Sequence, residues 1–207
     1  MYLFLTKIIT FFILLLILPL LILVYLFLLL HGINPIYKSK RVGKNKKIFL
    51  MYKFRSLKPN FVKGYLTNYN DKSFFYFSKF LRNSKLDELP QLINIILGDM
   101  NWVGPRANDP RIVNKYFEKD KKIIFSIKPG LTDFSTLIFG IRSDHFIKDK
   151  NEENYFKKIE KKKIFYRKLY VKKNTSTVNL KIIIYTFLSY IGILRIDENN
   201  FKNYFNV

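Results

Sequence analysis

With 207 residues, 49% of them hydrophobic and 17% aromatic, the chain has room for one domain and one membrane element and hardly more. It has no cysteine and only two histidines, His31 and His145, which excludes disulfides, thiolate metal sites and a histidine-rich metal centre; any metal must be a hard cation held by oxygen. A formal charge of +22 against 15 acidic residues points to phosphates or anionic lipid headgroups as partners.

The first element is an uncharged run, Ile8 to Leu30, interrupted in polarity by Thr10 and in geometry by Pro19. Its 23 residues would make a helix of roughly 34 Å, enough to cross a hydrocarbon core of about 30 Å. It is too long for the apolar core of a secretory signal, so it is expected to stay in the mature protein. Pro19 lacks the helical N–H and clashes one turn back, which divides the run into two arms of about 16 Å, each reaching half-way. A helix–break–helix hairpin that enters and leaves on one face fits this division; a kinked single span is the alternative. Either way the basic remainder belongs in the cytoplasm.

Beyond the linker His31–Pro35, nine Lys or Arg fall between Lys38 and Lys58 with no acid among them, a block suited to headgroups or phosphates rather than to nucleic acid. Within it Ile48–Arg55 reads as a short strand. Ser84 is expected to cap a helix whose first turn holds Asp87 and Glu88, with Leu89, Leu92, Ile93, Ile96 and Leu97 at helical spacing and Gly98 as its stop. Pro90 is tolerated near such a start, and the two carboxylates fall at the positive end of the helix dipole. Two adjacent acids in a chain so poor in them suggest a nucleophile or metal ligand; a capping box alone would use one.

Gly98–Arg106 comes next, with two Gly, a Pro and a cation, so tight turns are expected to offer backbone N–H groups beside Arg106. Lys53, Arg55 and Arg82 are further phosphate candidates. Pro110–Ser126 reads as one helix, residues 148–173 as a charge-rich helical face, and Ile182–Leu194, at 13 residues, as a core or interfacial helix too short to span. No P-loop, dinucleotide-binding glycine motif or nucleophile elbow occurs. The elements predict an α+β, predominantly helical fold: a membrane helix over 1–31 and a compact cytoplasmic domain over 32–207 with interfacial amphipathic helices.

Five ordered segments carry a family resemblance: Arg41–Asn45; Tyr52–Ser56; Leu81–Arg82 with Leu86–Asn94; Gly98–Met100 with Val103–Arg106; and Lys128–Thr132. From about residue 8 to 195 the chain resembles the bacterial sugar transferase family, the monotopic polyprenyl-phosphate phosphoglycosyl transferases in their minimal catalytic form. The resemblance makes 32–207 a catalytic domain. It implies that Asp87 attacks the sugar-linked phosphorus of a nucleoside diphosphate sugar, usually a UDP-sugar. UMP leaves, and polyprenyl phosphate then takes the phosphosugar. It further implies that Glu88 assists, that Mg²⁺ at Asp87 neutralises the diphosphate, and that Arg82 and Arg106 hold phosphate oxygens; Lys53, Arg55 and Gln91 are further substrate-binding candidates. The product would pass to later glycan-assembly enzymes at the bacterial inner membrane. A one-step transfer without a covalent intermediate keeps the same residues, whereas a membrane-anchored adaptor binding anionic lipid would have no use for the acidic pair.

Several positions depart from the family pattern. Ser73, Phe75 and Ser78 stand where Arg, Thr and Gly are usual, Asp133-Phe134 and Arg142-Ser143-Asp144 replace glycine-containing elements, and Asn179 replaces an Asp. Asp133 and Arg142 are therefore candidates for sugar or nucleotide specificity.

Overall fold

A computed structural model describes residues 2–58, 75–140 and 152–205. Helix α1 (Tyr2–Leu30) is continuous, with Pro19 inside it and no break into two arms. At 29 residues it is about 43 Å long, and it is the one helix among the described residues long and apolar enough to cross a membrane.

The reason α1 survives its proline lies in what it touches. Thr10 donates to the Thr6 carbonyl at 2.7 Å and accepts from Trp102 Nε1 at 2.8 Å. One turn further, Ile13, Leu14 and Ile17 pack against buried Met51, Leu92, Ile95 and Met100. Beyond Pro19, Leu21, Val24 and Leu28 pack with Phe54 and Leu81. Residues 10, 14, 17, 21, 24 and 28 form a single stripe at helical spacing, and both sides of the proline dock on the same body. The other faces stay apolar and uncovered: Leu16, Leu23 and Leu30 are 81%, 68% and 85% exposed.

Strands β1 (Ile36–Val42) and β2 (Ile48–Phe54) form an antiparallel hairpin with Ser39 opposite Met51. The expected strand is β2. Its partner is hidden in the sequence by the basic run Lys38-Ser39-Lys40-Arg41, whose outward positions are charged. Asn45, with φ of 55°, makes the turn.

Helix α2 (Ser78–Asn83) leads into a single 3₁₀ turn, Leu86–Glu88, and then helix α3 (Gln91–Leu97). Ser84 does not cap the turn that holds the acids; its hydroxyl donates back to the Phe80 carbonyl at 2.7 Å, and Lys85 then turns left-handed, with φ of 57°. Asp87 and Glu88 thus precede α3 instead of occupying its first turn. Gly98, with φ of 89°, ends α3 as expected.

Strand β3 (Asn101–Val103) pairs in parallel with β4 (Gly130–Thr132). The two chains cross closely enough that a Cβ on Gly130 would lie 2.1 Å from Gly104 N, so neither glycine admits a side chain. Between the strands, the expected single helix over 110–126 is two short ones, α4 (Pro110–Val113) and α5 (Glu118–Ile124), because Phe117 is extended. The interruption lets Tyr116 point into the core, where its hydroxyl donates to buried Glu160, while Phe117 stays 69% exposed.

The C-terminal part is helical, as its pattern suggested: α6 (Glu152–Tyr155), a π-helical stretch (Phe156–Glu160), α7 (Lys161–Lys173), α8 (Ser176–Tyr190) and α9 (Phe201–Tyr204). Phe134 is fully buried among Tyr170, Phe201 and Phe205. Along α8, Leu180, Ile184 and Phe187 remain exposed.

Candidate active site

Glu88 is held by three side chains that together donate four hydrogen bonds. Arg106 Nη2 donates to both of its oxygens at 2.5 Å, Lys53 Nζ donates to Oε1 at 3.1 Å and Gln91 Nε2 to Oε2 at 3.2 Å. Each donor comes from a different element: Lys53 from β2, Gln91 from the start of α3, and Arg106 from the loop after β3. Arg106 is itself fixed by donating Nη1–H to the Leu131 carbonyl at 2.8 Å, and its backbone N–H to Asp133 Oδ2 at 3.3 Å. Burial alone would raise the Glu88 carboxyl, but Arg106 and then Lys53 outweigh it and hold it well below the usual carboxylate range. Burial would likewise depress Arg106, yet Glu88 raises it above its ordinary value. The pair is locked in its charged form.

Asp87 is in the opposite condition. It is 6% exposed, and its Oδ1 is buried with no hydrogen-bond partner among the described residues. Burial pushes its carboxyl up, against the pull of Lys53 and with a further push from Glu88. Adjacent acids are thus driven apart: one is a fixed anion, the other a poorly solvated carboxylate with a free oxygen, the state in which oxygen is most basic.

Next to Glu88 lies a cavity of about 240 Å³. Seven Lys or Arg side chains line it against three carboxylates, Glu88, Asp109 and Glu160. Such an imbalance in a confined space calls for an anion of several charges. Of the phosphate candidates named from the sequence, Arg82, Lys53 and Arg106 are on its wall. Asp87 is not, and sits beside the cavity as Glu88's neighbour. Gln91 is fully buried and serves Glu88. Arg55 lies elsewhere, donating to the Asn34 carbonyl at 3.0 Å and stacking over Tyr37. Asp133 is fully buried and accepts from the Ser135 and Thr136 hydroxyls and the Thr136 N–H; it braces the loop behind Arg106 and offers no face to the cavity. Arg142 and Ser73 lie outside the described residues.

The backbone N–H groups of the Gly98–Arg106 turns are not free for phosphate. Met100 N donates to Asn94 O, Asn101 N to Pro129 O and Gly104 N to Thr132 O. Anion binding here falls to side chains. For a divalent cation, no cluster of three or more His, Cys, Asp or Glu side chains exists among the described residues. The free oxygen of Asp87 fits a hard ion that takes its remaining ligands from substrate oxygens and water.

The family model described as bacterial sugar transferase matches residues 3–192. The chain belongs to the bacterial sugar transferase family. Among its relatives, the galactosyl transferase CpsE of Streptococcus agalactiae is 35% identical over 116 residues, 49% of this chain and 25% of the relative. The undecaprenyl-phosphate galactose phosphotransferase of Salmonella typhimurium is 36% identical over 118 residues, again 49% and 25%. The UDP-glucose:undecaprenyl-phosphate glucose-1-phosphate transferase of Klebsiella pneumoniae is 33% identical over 159 residues, 73% of this chain and 31% of the relative. The chain thus spans no more than about a third of the length of these three.

This bacterial sugar transferase also recruits residues that sequence reasoning missed. Arg41, Lys163, Arg167 and Tyr190 line the cavity. Lys163 and Arg167 belong to a stretch where almost every turn carries a cation, so nothing local marks the two that point inward. Arg41 was visible only as part of a motif.

Proposed function

We propose that this bacterial sugar transferase moves a sugar phosphate from a nucleoside diphosphate sugar, a UDP-sugar, to undecaprenyl or another polyprenyl phosphate, starting assembly of a surface glycan. The observation that carries the reading is the divided acid pair: a locked Glu88 and an Asp87 with one unbonded oxygen, beside a strongly cationic cavity, on a body with an uncovered apolar helix. The names of the relatives supply the acceptor and donor classes.

In the first step an Asp87 carboxylate oxygen attacks the sugar-linked phosphorus. A new P–O bond forms and the bond to the nucleotide breaks, releasing UMP and leaving the phosphosugar on Asp87. In the second, a phosphate oxygen of the polyprenyl carrier attacks the same phosphorus and Asp87 leaves as carboxylate. Arg82, Lys53 and Arg106 offset the repulsion between anions that must meet, and Glu88 holds two of those cations in place. Mg²⁺ held by Asp87 and the diphosphate would supply further charge neutralisation.

A one-step transfer is the second reading, favoured by one observation: Glu88 is on the cavity wall and Asp87 is not. Attack by Asp87 requires the wall to shift when donor binds. Membranes incubated with UDP-sugars and polyprenyl phosphate should release UMP, and Asp87→Asn should slow release at least about 1,000-fold. A phosphosugar adduct trapped on Asp87 with donor alone selects the two-step route; its absence selects the other. Full activity of Asp87→Asn overturns the assignment, and no UMP release by wild type leaves the adaptor reading.

For placement, α1 is proposed to enter and leave the inner membrane on its cytoplasmic face. Its contacts with the same body on both sides of Pro19 support this, because a perpendicular span would carry one half away from that body. A tag before residue 7 is expected to be accessible from the cytoplasm alone; access from the periplasm would establish a true span.

A further inference from the structure

The cavity has a second group of cations that the proposed chemistry leaves unused. Arg41 Nε and Arg167 Nε are both buried and have no hydrogen-bond acceptor among the described residues. Arg41 reaches Asp109 only at 3.5 Å, and Asp109 is already engaged by the Arg111 guanidinium through Nε and Nη2, both at 2.9 Å. Arg167 donates Nη1–H to Glu160 at 2.6 Å and to the Tyr116 hydroxyl at 2.7 Å, which leaves Nε unserved. Lys163 Nζ donates to the Tyr155 hydroxyl at 2.7 Å and has no carboxylate partner among the described residues. Two orphaned guanidinium N–H groups and a part-buried ammonium held only by a neutral hydroxyl, all on one cavity, are the donor set of an anion site: buried polar groups are otherwise satisfied, and buried cations otherwise paired.

We infer that Arg41, Lys163 and Arg167 form a second anion subsite, which takes the phosphate of the leaving nucleotide while Lys53, Arg82 and Arg106 serve the sugar-linked phosphate. The inference rests on the nucleoside diphosphate sugar reading above. It divides the cavity into two phosphate positions, and it assigns release of the nucleotide monophosphate to side chains of β1 and α7, away from the Asp87–Glu88 turn.

The site has its own pH signature. Burial depresses the Lys163 ammonium to about 8, opposed by Glu160 and reinforced by Arg167 and Arg106, with Asp133 also opposing. Tyr155 and Arg41 complete its charged or titratable surroundings on the cavity, and on α5, which packs along α7, Asp120 is bound to Lys168 at 2.7 Å. Above pH 8 the free protein loses the Lys163 charge, and an anion arriving there must restore it. Affinity for such an anion should fall by up to about tenfold per pH unit above that point.

The full chain in nanodiscs, titrated calorimetrically with UDP and separately with inorganic pyrophosphate, tests this without requiring turnover. Lys163→Met should weaken both ligands about tenfold or more at pH 7. Wild type should lose about tenfold in affinity between pH 7 and pH 9, whereas Lys163→Arg should bind within a few-fold of wild type at pH 7 and show a flat profile, because its guanidinium stays charged. Unchanged binding by Lys163→Met, a wild-type pH profile in Lys163→Arg, or no binding of either ligand by wild type overturns the subsite. Lys163-dependent pyrophosphate binding in a protein that releases no UMP from UDP-sugars would keep the subsite and discard the reaction. Normal turnover with unchanged Lys163→Met affinities would do the reverse.

Discussion

Glu88 and Glu160 use the same device to different ends. Each is a carboxylate gripped by an arginine, part-buried Glu88 by Arg106 at 2.5 Å and buried Glu160 by Arg167 at 2.6 Å. Around Glu160 the cluster is nearly closed: the side chains of Arg167 and Glu160 are 4% and 2% exposed, and Tyr116 and Asn108 donate to the same Glu160 oxygen as Arg167. Around Glu88 it is ajar, with Arg106 at 25% and Lys53 at 18% exposure, and its sequence neighbour Asp87 has an oxygen with no partner. A closed pair of this kind fixes the packing of α7 against the segment that holds Tyr116. An open one next to an unsatisfied acid keeps cations aimed where a substrate can reach them.

The largest effect that separates the two is at Asp87. Asp87→Asn is expected to cost at least about 1,000-fold in UMP release, roughly 4 kcal/mol in barrier, while the melting temperature stays level or rises. The sign comes from linkage. The folded carboxyl is raised by burial, so the stability it contributes is full below its unfolded value and declines as pH rises through the folded one. Near neutral pH the amide removes that penalty. A lowered melting temperature in Asp87→Asn would show that its carboxylate is a structural anion like Glu160.

Glu160→Gln should show the reverse. Removing one member of a closed pair leaves Arg167 buried and uncompensated, a loss of about 3 kcal/mol read from denaturant or thermal unfolding. Activity per folded molecule should fall far less than in Asp87→Asn, by about tenfold, because Glu160 positions Arg167 in the nucleotide-phosphate subsite without touching the reacting atoms. A loss of activity matching that of Asp87→Asn, with stability intact, would erase the distinction between the two clusters.

How much of this was legible in the sequence depends on whether the signal was local. Asp87-Glu88 stood out because acids are scarce, and its neighbours Lys53, Arg82 and Arg106 because they sit in short motifs. Gly98 was readable because a helix end needs a residue that tolerates positive φ. Ser84 misled because a hydroxyl before an apolar run can accept from an N–H ahead of it or donate to a carbonyl behind it, and here donation to the Phe80 carbonyl won. The helix over 110–126 looked unbroken because Phe117 fits helical spacing, while the gain from turning Tyr116 toward Glu160 depends on a residue more than forty positions away. Lys163 and Arg167 were unreadable for the same reason: which cations of α7 face inward is decided by β1 and the Arg106 loop, not by α7. Pro19 is the mirror case, a strong local signal for a break overridden by packing on both sides of it.

The smallest effect concerns that same helix, at the join between its apolar surface and the cationic body. Trp102 Nε1–H donates to Thr10 Oγ1, whose own hydrogen goes to Thr6 O, so Thr10 is buried in α1 without an unpaired polar atom. Trp102→Phe keeps an aromatic ring against the hydrophobic cluster but removes that donor, leaving one lone pair of Thr10 unserved in the buried join between α1 and the body. The expected cost is about 1 kcal/mol, seen as a modest drop in melting temperature in nanodiscs. Thr10→Val added to Trp102→Phe should cost less than the sum of the two single changes, because the acceptor disappears along with its donor. Strict additivity would mean that the bond does not couple α1 to the body. The docking of the amino-terminal half of the helix would then rest on the stripe Ile13–Leu14–Ile17 alone, and a tag at the amino terminus would be the better probe of which side of the membrane that half occupies.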